Sequence, residues 1–93
     1  MRLCYTERAK HELETAFQWY ENQLQGLGFE FLDCVEEVMD TIQKFPNMYP
    51  EHHECFRRAL MQRFPFSIFY TIEVKEIIVH AVFDNRQDPN CLP

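Results

Sequence analysis

The hydrophobic period of this chain changes once, across Phe45-Pro46-Asn47-Met48-Tyr49-Pro50, and that change fixes the layout available to it. Before it, apolar residues recur at steps of three and four. Ala9, Leu13, Ala16, Phe17, Tyr20 and Leu24 form one run; Phe31, Leu32, Val35, Val38, Met39, Ile42 and Phe45 form the next. That spacing puts each run on one face of a helix. Glu14, Gln18 and Glu21 take the other side of the first, and Glu30, Asp33, Glu36, Glu37 and Asp40 that of the second. Thr6 stands where a helix cap is expected, with Glu7 in the first turn where the helix dipole favours an anion. Gly26 and Gly28 are expected to end the first helix and turn the chain. So short a connection predicts an antiparallel hairpin of helices over residues 7–24 and 29–45.

Beyond Pro50 the period is two. Cys55–Met61 can be a strand. Phe66, Ile68, Tyr70 and Ile72 share one parity while Ser67, Phe69, Thr71 and Glu73 share the other, the alternation of a half-buried strand. Val74 and Lys75 make the turn into a very apolar, β-branched strand over 76–83. Arg2–Tyr5 also alternates and predicts a short N-terminal strand. The expected fold is α+β: one domain over 1–93, with a short first strand and a helical hairpin packed on a small antiparallel β-sheet. Nine Phe, four Tyr and one Trp give so short a chain enough apolar area for a core without staples.

The net charge of −6 is unevenly spread. Residues 1–54 hold eleven Asp and Glu against four Lys and Arg, while residues 55–93 hold four against five. A uniformly acidic chain is a poor nucleic-acid binder, because phosphate attraction supplies most non-specific affinity. Here Arg57, Arg58 and Arg63 keep a local basic run, so charge leaves that function class open. No apolar run reaches the roughly 18–20 residues of a membrane span, and no apolar stretch precedes the first charges as in a signal peptide. A cytoplasmic setting is expected, with Cys4, Cys34, Cys55 and Cys91 as reduced thiols. His52, His53 and Cys55 lack a second ligand pair, so neither a metal site nor a cofactor is expected.

Four motifs, in order, carry a family resemblance. They are AKHELETAFQWYENQ in the first helix; TIQKFPNMYP at the end of the second; RRALMQRFPFSIFYTIE; and EIIVHAVFDNRQDP at the final strand. Together they resemble the RelE/ParE superfamily of toxins from bacterial type II toxin–antitoxin modules, and more closely its ParE, plasmid-stabilisation branch. The resemblance implies a toxin that binds and poisons a target such as DNA gyrase and is neutralised by a cognate antitoxin. A ribosome-dependent mRNA endonuclease of the RelE kind is the alternative, and a member retaining only protein–protein binding, with antitoxin or as a homodimer, is a third. Asp84 stands where the superfamily commonly has His, Gln87 where a second Arg is frequent, and Asn90-Cys91-Leu92-Pro93 where a terminal aromatic is expected. These departures remove basic and stacking groups that the ribosome-dependent RNases use.

RNA cleavage through the ribose hydroxyl needs a base, an acid and a cation on the crowded phosphate. Arg58, Arg63 and Arg86 could supply the cation, His80 could move protons, and Tyr70 is the aromatic to watch at a half-exposed sheet edge. Arg58 matches the arginine that recurs on the family's first sheet strand after the loop. Its functional reading is an anion contact; its structural one is a hydrogen bond to loop or acidic partners. Arg63, before Phe64-Pro65, also reads as a solvated strand end. His80 lies within an apolar strand, where a lone histidine more often packs than catalyses. Activity is therefore expected to depend on Arg58 more than on His80.

Overall fold

A computed structural model describes residues 1–93. The elements are β1 (Arg2–Tyr5), α1 (Glu7–Gln23), α2 (Leu27–Lys44), β2 (Glu51–His53), β3 (Phe56–Leu60), β4 (Phe66–Ile72) and β5 (Glu76–Asp84), followed by a 3-10 turn at Pro89–Cys91. Thr6 caps α1 as expected, its Oγ1 accepting the Ala9 N–H at 3.1 Å. The α1–α2 turn departs from expectation. Gly26, at φ +92°, is the one turn residue in the left-handed region, whereas Gly28 lies inside α2. A Cβ on Gly28 would stand 2.7 Å from the Phe17 carbonyl oxygen, so this glycine lets the two helices meet closely. Gly26 has no side chain to cap α2. The Glu21 carboxylate does so from α1, accepting the N–H groups of Gly26 and Gly28 at 2.9 Å each.

The five strands form one sheet in the order β1-β5-β4-β3-β2. The β2–β3, β3–β4 and β4–β5 pairs are antiparallel, as expected of the C-terminal half. The sheet is mixed rather than wholly antiparallel, because β1 runs parallel to β5, pairing Arg2–Tyr5 with Glu76–Val79. The short strand β2 lies between Pro50 and Cys55, where the sequence pattern assigns no element. All three of its residues are exposed, so it is defined by backbone pairing and carries no hydrophobic signature.

The hairpin covers one sheet face. Ala9, Ala16, Tyr20, Phe31, Val35, Met39 and Ile42 pack there against Ala59, Phe66, Ile68, Tyr70, Ile77, Val79 and Val82. Leu24 and Phe45, expected on the buried stripes, are exposed. Each is the residue just past the last turn of its helix, where the chain swings away from the sheet. At Phe69/Tyr70 the β4–β5 register slips by one residue, and the extra residue on β5 is His80. This bulge leaves Val79 and Val82 facing the helices and turns both His80 and Ala81 outward. No helix is long and apolar enough to cross a membrane.

Candidate functional site

The outer sheet face, opposite the hairpin, carries a small apolar centre of Phe69, Ala81 and Phe83, flanked by Phe56 and Leu92. Strand parity sends Arg58 to this face and Arg57 to the other. The Arg58 Nε donates to Ser67 Oγ at 2.8 Å and its Nη2 to Asn85 Oδ1 at 3.1 Å. Ser67, wholly buried, donates to the same Asn85 oxygen at 2.7 Å. Asn85 is itself anchored by its N–H on the Pro65 carbonyl. The guanidinium carbon lies 5.6 Å from the centre of the Phe69 ring, and Nη1 has no hydrogen-bond partner. Arg58 is thus pinned along one edge and open along the other. Arg58 also lines a shallow cleft of about 420 Å³ with Tyr49, Pro50, Glu51, His52, Leu60 and Gln62.

His80 lies on the same face but on the far side of Phe69. Its Nε2 and the Thr71 hydroxyl are 2.8 Å apart, and its ring meets Phe56 edge-on at 5.0 Å. Burial pushes its pKa below the usual histidine value, which favours the neutral ring. Arg58 pairs with Phe69, and Phe69 with Ala81 beside His80, so two strand spacings, about 10 Å, separate the two backbones. The cation and the imidazole do not converge.

The other three candidates lie elsewhere. Tyr70 faces the helices, wholly buried, and its hydroxyl donates to the Pro46 carbonyl at 2.6 Å. Burial pushes that phenol up to about 12. The expectation of a half-exposed edge phenol is corrected: the inward parity of β4 carries Tyr70 under the Pro46 turn. Arg63, in the β3–β4 loop, pairs with Glu30 of α2 at 2.7 Å. Arg86 forms a two-pronged pair with Asp84, Nε–Oδ1 at 2.9 Å and Nη2–Oδ2 at 2.8 Å, and lies 5.5 Å from the Trp19 ring centre. The Arg86 hydrogen bonds hold the Asp84 carboxyl below the usual carboxylate range. No three His, Cys, Asp or Glu side chains gather as metal ligands, and all four cysteines are free.

Sequence reading missed three contributors. Ser67 and Asn85 hold Arg58, and their only signals were a small polar residue in a strand interior and an amide just past a strand end. Glu12 is the third. Its Oε1 accepts the Val82 N–H at 3.0 Å, fastening α1 to β5.

A second surface lies on the back of the hairpin. Tyr5, Leu13, Phe17 and Leu32 line a shallow apolar groove of about 330 Å³, with Lys10 and Glu14 at its rim. Phe29 meets Phe17 edge-on at 5.0 Å and is 59% exposed. Glu36 lies close enough to Tyr5 to raise the phenol's pKa, second to the effect of burial.

The family described as "ParE toxin of type II toxin-antitoxin system, parDE" has a model that matches residues 3–89. A solved structure described as the "Chromosomal ParDE TA system from P. aeruginosa" is similar with a TM-score of 0.80 and 20% sequence identity. The match covers 90% of this chain and 95% of that one; at this identity it shows a common fold. No curated protein sequence matches the chain.

Proposed function

Because this chain belongs to the ParE toxin family of type II toxin–antitoxin systems, we propose that it acts by binding and obstructing a large target, DNA gyrase, and is neutralised by a cognate antitoxin. The observation that carries this reading is the dispersal of the candidate side chains. Arg58, His80, Arg63, Arg86 and Tyr70 each hold a separate partner, and the histidine lies on the far side of Phe69 from Arg58, so imidazole and that cation do not form the joint site that RNA cleavage requires. Binding needs surfaces instead. The Arg58 cleft offers a cation with one free edge to an anionic group of the target.

The apolar groove on the back of the hairpin supports the antitoxin half of the reading. Glu14 stands at its rim and Glu36 close to Tyr5, against Lys10. An amphipathic helix laying its apolar face in the groove and its basic residues on these walls matches both features. A tail that is disordered until it binds would order on this surface, and its association rate would fall with added salt. Without the antitoxin the same groove is the surface on which homodimers would form.

The test has two arms. Co-expression with a short reading frame beside this one should yield a co-purifying complex, and purified chain should inhibit gyrase supercoiling. Site-specific cutting of translated mRNA, with gyrase unaffected, would replace the gyrase reading by the endonuclease one. Failure to co-purify with any adjacent frame would remove the antitoxin.

A further inference from the structure

Both helices lie on one face of the sheet, yet the apolar centre on the opposite face is closed as well. Phe69 and Ala81 are fully buried there and Phe83 is 3% exposed. From the sheet side, Phe56 packs on this centre, the His52 ring meets Phe69 edge-on at 5.4 Å, and the Arg58 guanidinium lies 5.6 Å from the Phe69 ring centre. Leu92 is the one apolar side chain packed on it that comes from outside the sheet.

The path of the segment carrying Leu92 follows from its contacts. Arg86 lies against Trp19, and the Cys91 carbonyl meets Arg8, about three turns earlier in α1. After β5 the chain thus runs back along α1 and then sets Leu92 on the outer face. Residues 88–93 hold their own shape. The Asp88 carboxylate accepts the Asn90 N–H at 2.9 Å, its carbonyl accepts the Cys91 N–H at 2.9 Å, and the Pro89 carbonyl accepts the Leu92 N–H at 3.1 Å. A single hydrogen bond ties them to the rest of the chain, from Arg8 Nη2 to the Cys91 carbonyl at 2.6 Å. Glu12 aims Arg8 there, its Oε2 lying 3.3 Å from the Arg8 Nε. A preformed turn with one latch and one apolar seat opens as a unit and belongs to the low-stability end of the fold.

We infer that residues 88–93 are a strap that shields the target-binding surface, and that a target engages this chain by displacing it. The strap itself shows what the seat beneath accepts: one branched apolar side chain against Phe69, Ala81 and Phe83. Arg58 stands beside the same Phe69 ring with Nη1 unpaired. Glu51, the one carboxylate lining the adjoining cleft, is taken by Arg57 at 3.4 Å. The segment that replaces Leu92 therefore carries a carboxylate next to its apolar residue, which meets the free edge of Arg58. Strap and target exclude each other, so apparent affinity is reduced by the fraction of molecules in which the strap is open. Arg8 and Leu92 set that fraction. The inference rests on the reading that this chain acts by binding a target, and adds the seat the target fills and the device that covers it.

Ala81 belongs to the centre that Leu92 caps, so its methyl resonance reports on the seat. Two variants of the full chain open the strap by different routes: Leu92→Ser empties the seat and leaves the latch, while Arg8→Gln releases the latch and leaves the seat. Circular dichroism should be unchanged in both. The probe is a capped hexapeptide of alternating Leu and Asp, with an alternating Leu and Lys peptide as its counterpart. The Asp peptide should shift the Ala81 methyl saturably and bind either variant about tenfold more tightly than the parent chain. The Lys peptide should bind at least about tenfold more weakly than the Asp peptide, a difference of about 1.4 kcal/mol. Equal affinity for parent and variants, an equal response to the two peptides, or an Ala81 methyl that neither peptide moves would each overturn the inference. Gyrase supercoiling is the separate arm, in which both variants should inhibit at lower concentration than the parent. The expected peptide behaviour with gyrase untouched by every form keeps the strap and removes gyrase as the target. Equal inhibition by parent and variants refutes the strap and keeps the gyrase reading.

Discussion

Replacing Arg58 by Ala tests whether this side chain works for the fold or for the target. It removes two charge-assisted hydrogen bonds, 2.8 Å to Ser67 and 3.1 Å to Asn85, and the contact of the cation with Phe69. Ser67 and Asn85 still bond to each other, so neither is orphaned, which keeps the loss near the low end for two charged hydrogen bonds, about 3 kcal/mol. The ring contact adds about 0.5–1 kcal/mol. Asn85→Ala attacks the same network from the other side, removing the one oxygen that Arg58 and Ser67 share, and should cost a similar amount. Urea unfolding of both single variants and the double variant should therefore show a double loss smaller than the sum by about 1 kcal/mol or more. Growth arrest on induction supplies the functional axis. With Nη1 reserved for the target, Arg58→Ala should abolish toxicity, while Asn85→Ala, equally destabilised, retains it. His80→Gln should also retain it. Parallel loss of toxicity in Arg58→Ala and Asn85→Ala, tracking stability, would reduce Arg58 to a structural residue. Loss in a folded His80→Gln alone would reverse the ranking and revive proton transfer.

Gly28→Ala sets two effects against each other. Alanine gains about 1 kcal/mol of helix propensity over glycine, but its Cβ meets the Phe17 backbone oxygen at 2.7 Å, which cannot rotate away. Overpacking of about 1–3 kcal/mol should win, and a thermal midpoint at or above that of the parent chain would disprove the close approach. The half-buried His80 gives a pH signature. Its pKa is lowered in the fold, so between that value and about 6.5 the unfolded chain binds more protons, and stability should fall as pH drops through this window. Glu73 opposes part of the shift. Urea midpoints between pH 8 and 5 should flatten in His80→Gln, and an unchanged slope would place the dependence elsewhere.

The helices were legible because their burial is a sum over many residues. Ala9, Ala16, Tyr20, Phe31, Val35, Met39 and Ile42 all sit on the expected stripes, and a misplaced residue at either end, Leu24 or Phe45, does not disturb the pattern. The alternation of β4 was legible for the same reason, and it put Tyr70 on the inward parity. Its hydroxyl then finds Pro46, a contact 24 positions away that no local pattern announces. The pairing of β1 was beyond reach of periodicity. Four residues meet β5 some 74 positions later, and their direction follows from where the hairpin returns the chain to the sheet.

The site was harder to read than the core because single contacts between distant residues define it. A period-two reading of β5 keeps one parity from Ile77 through Phe83, yet the bulge at His80 slips that parity in mid-strand. His80 and Ala81 then share the outer face, and Val82 regains the inner one. The slip matters beyond bookkeeping of faces, because it brings the second half of β5 past the end of β1 with Val82 directed at α1. Glu12 meets the Val82 N–H there, 70 positions away in the chain. Arg58 likewise acquires its setting from Ser67, nine positions on, and Asn85, 27 positions on. Burial patterns select which face of an element is wet, but only the register of the sheet decides which polar groups meet on it. The open edge of Arg58 and the unpaired edge of β5 are both consequences of register.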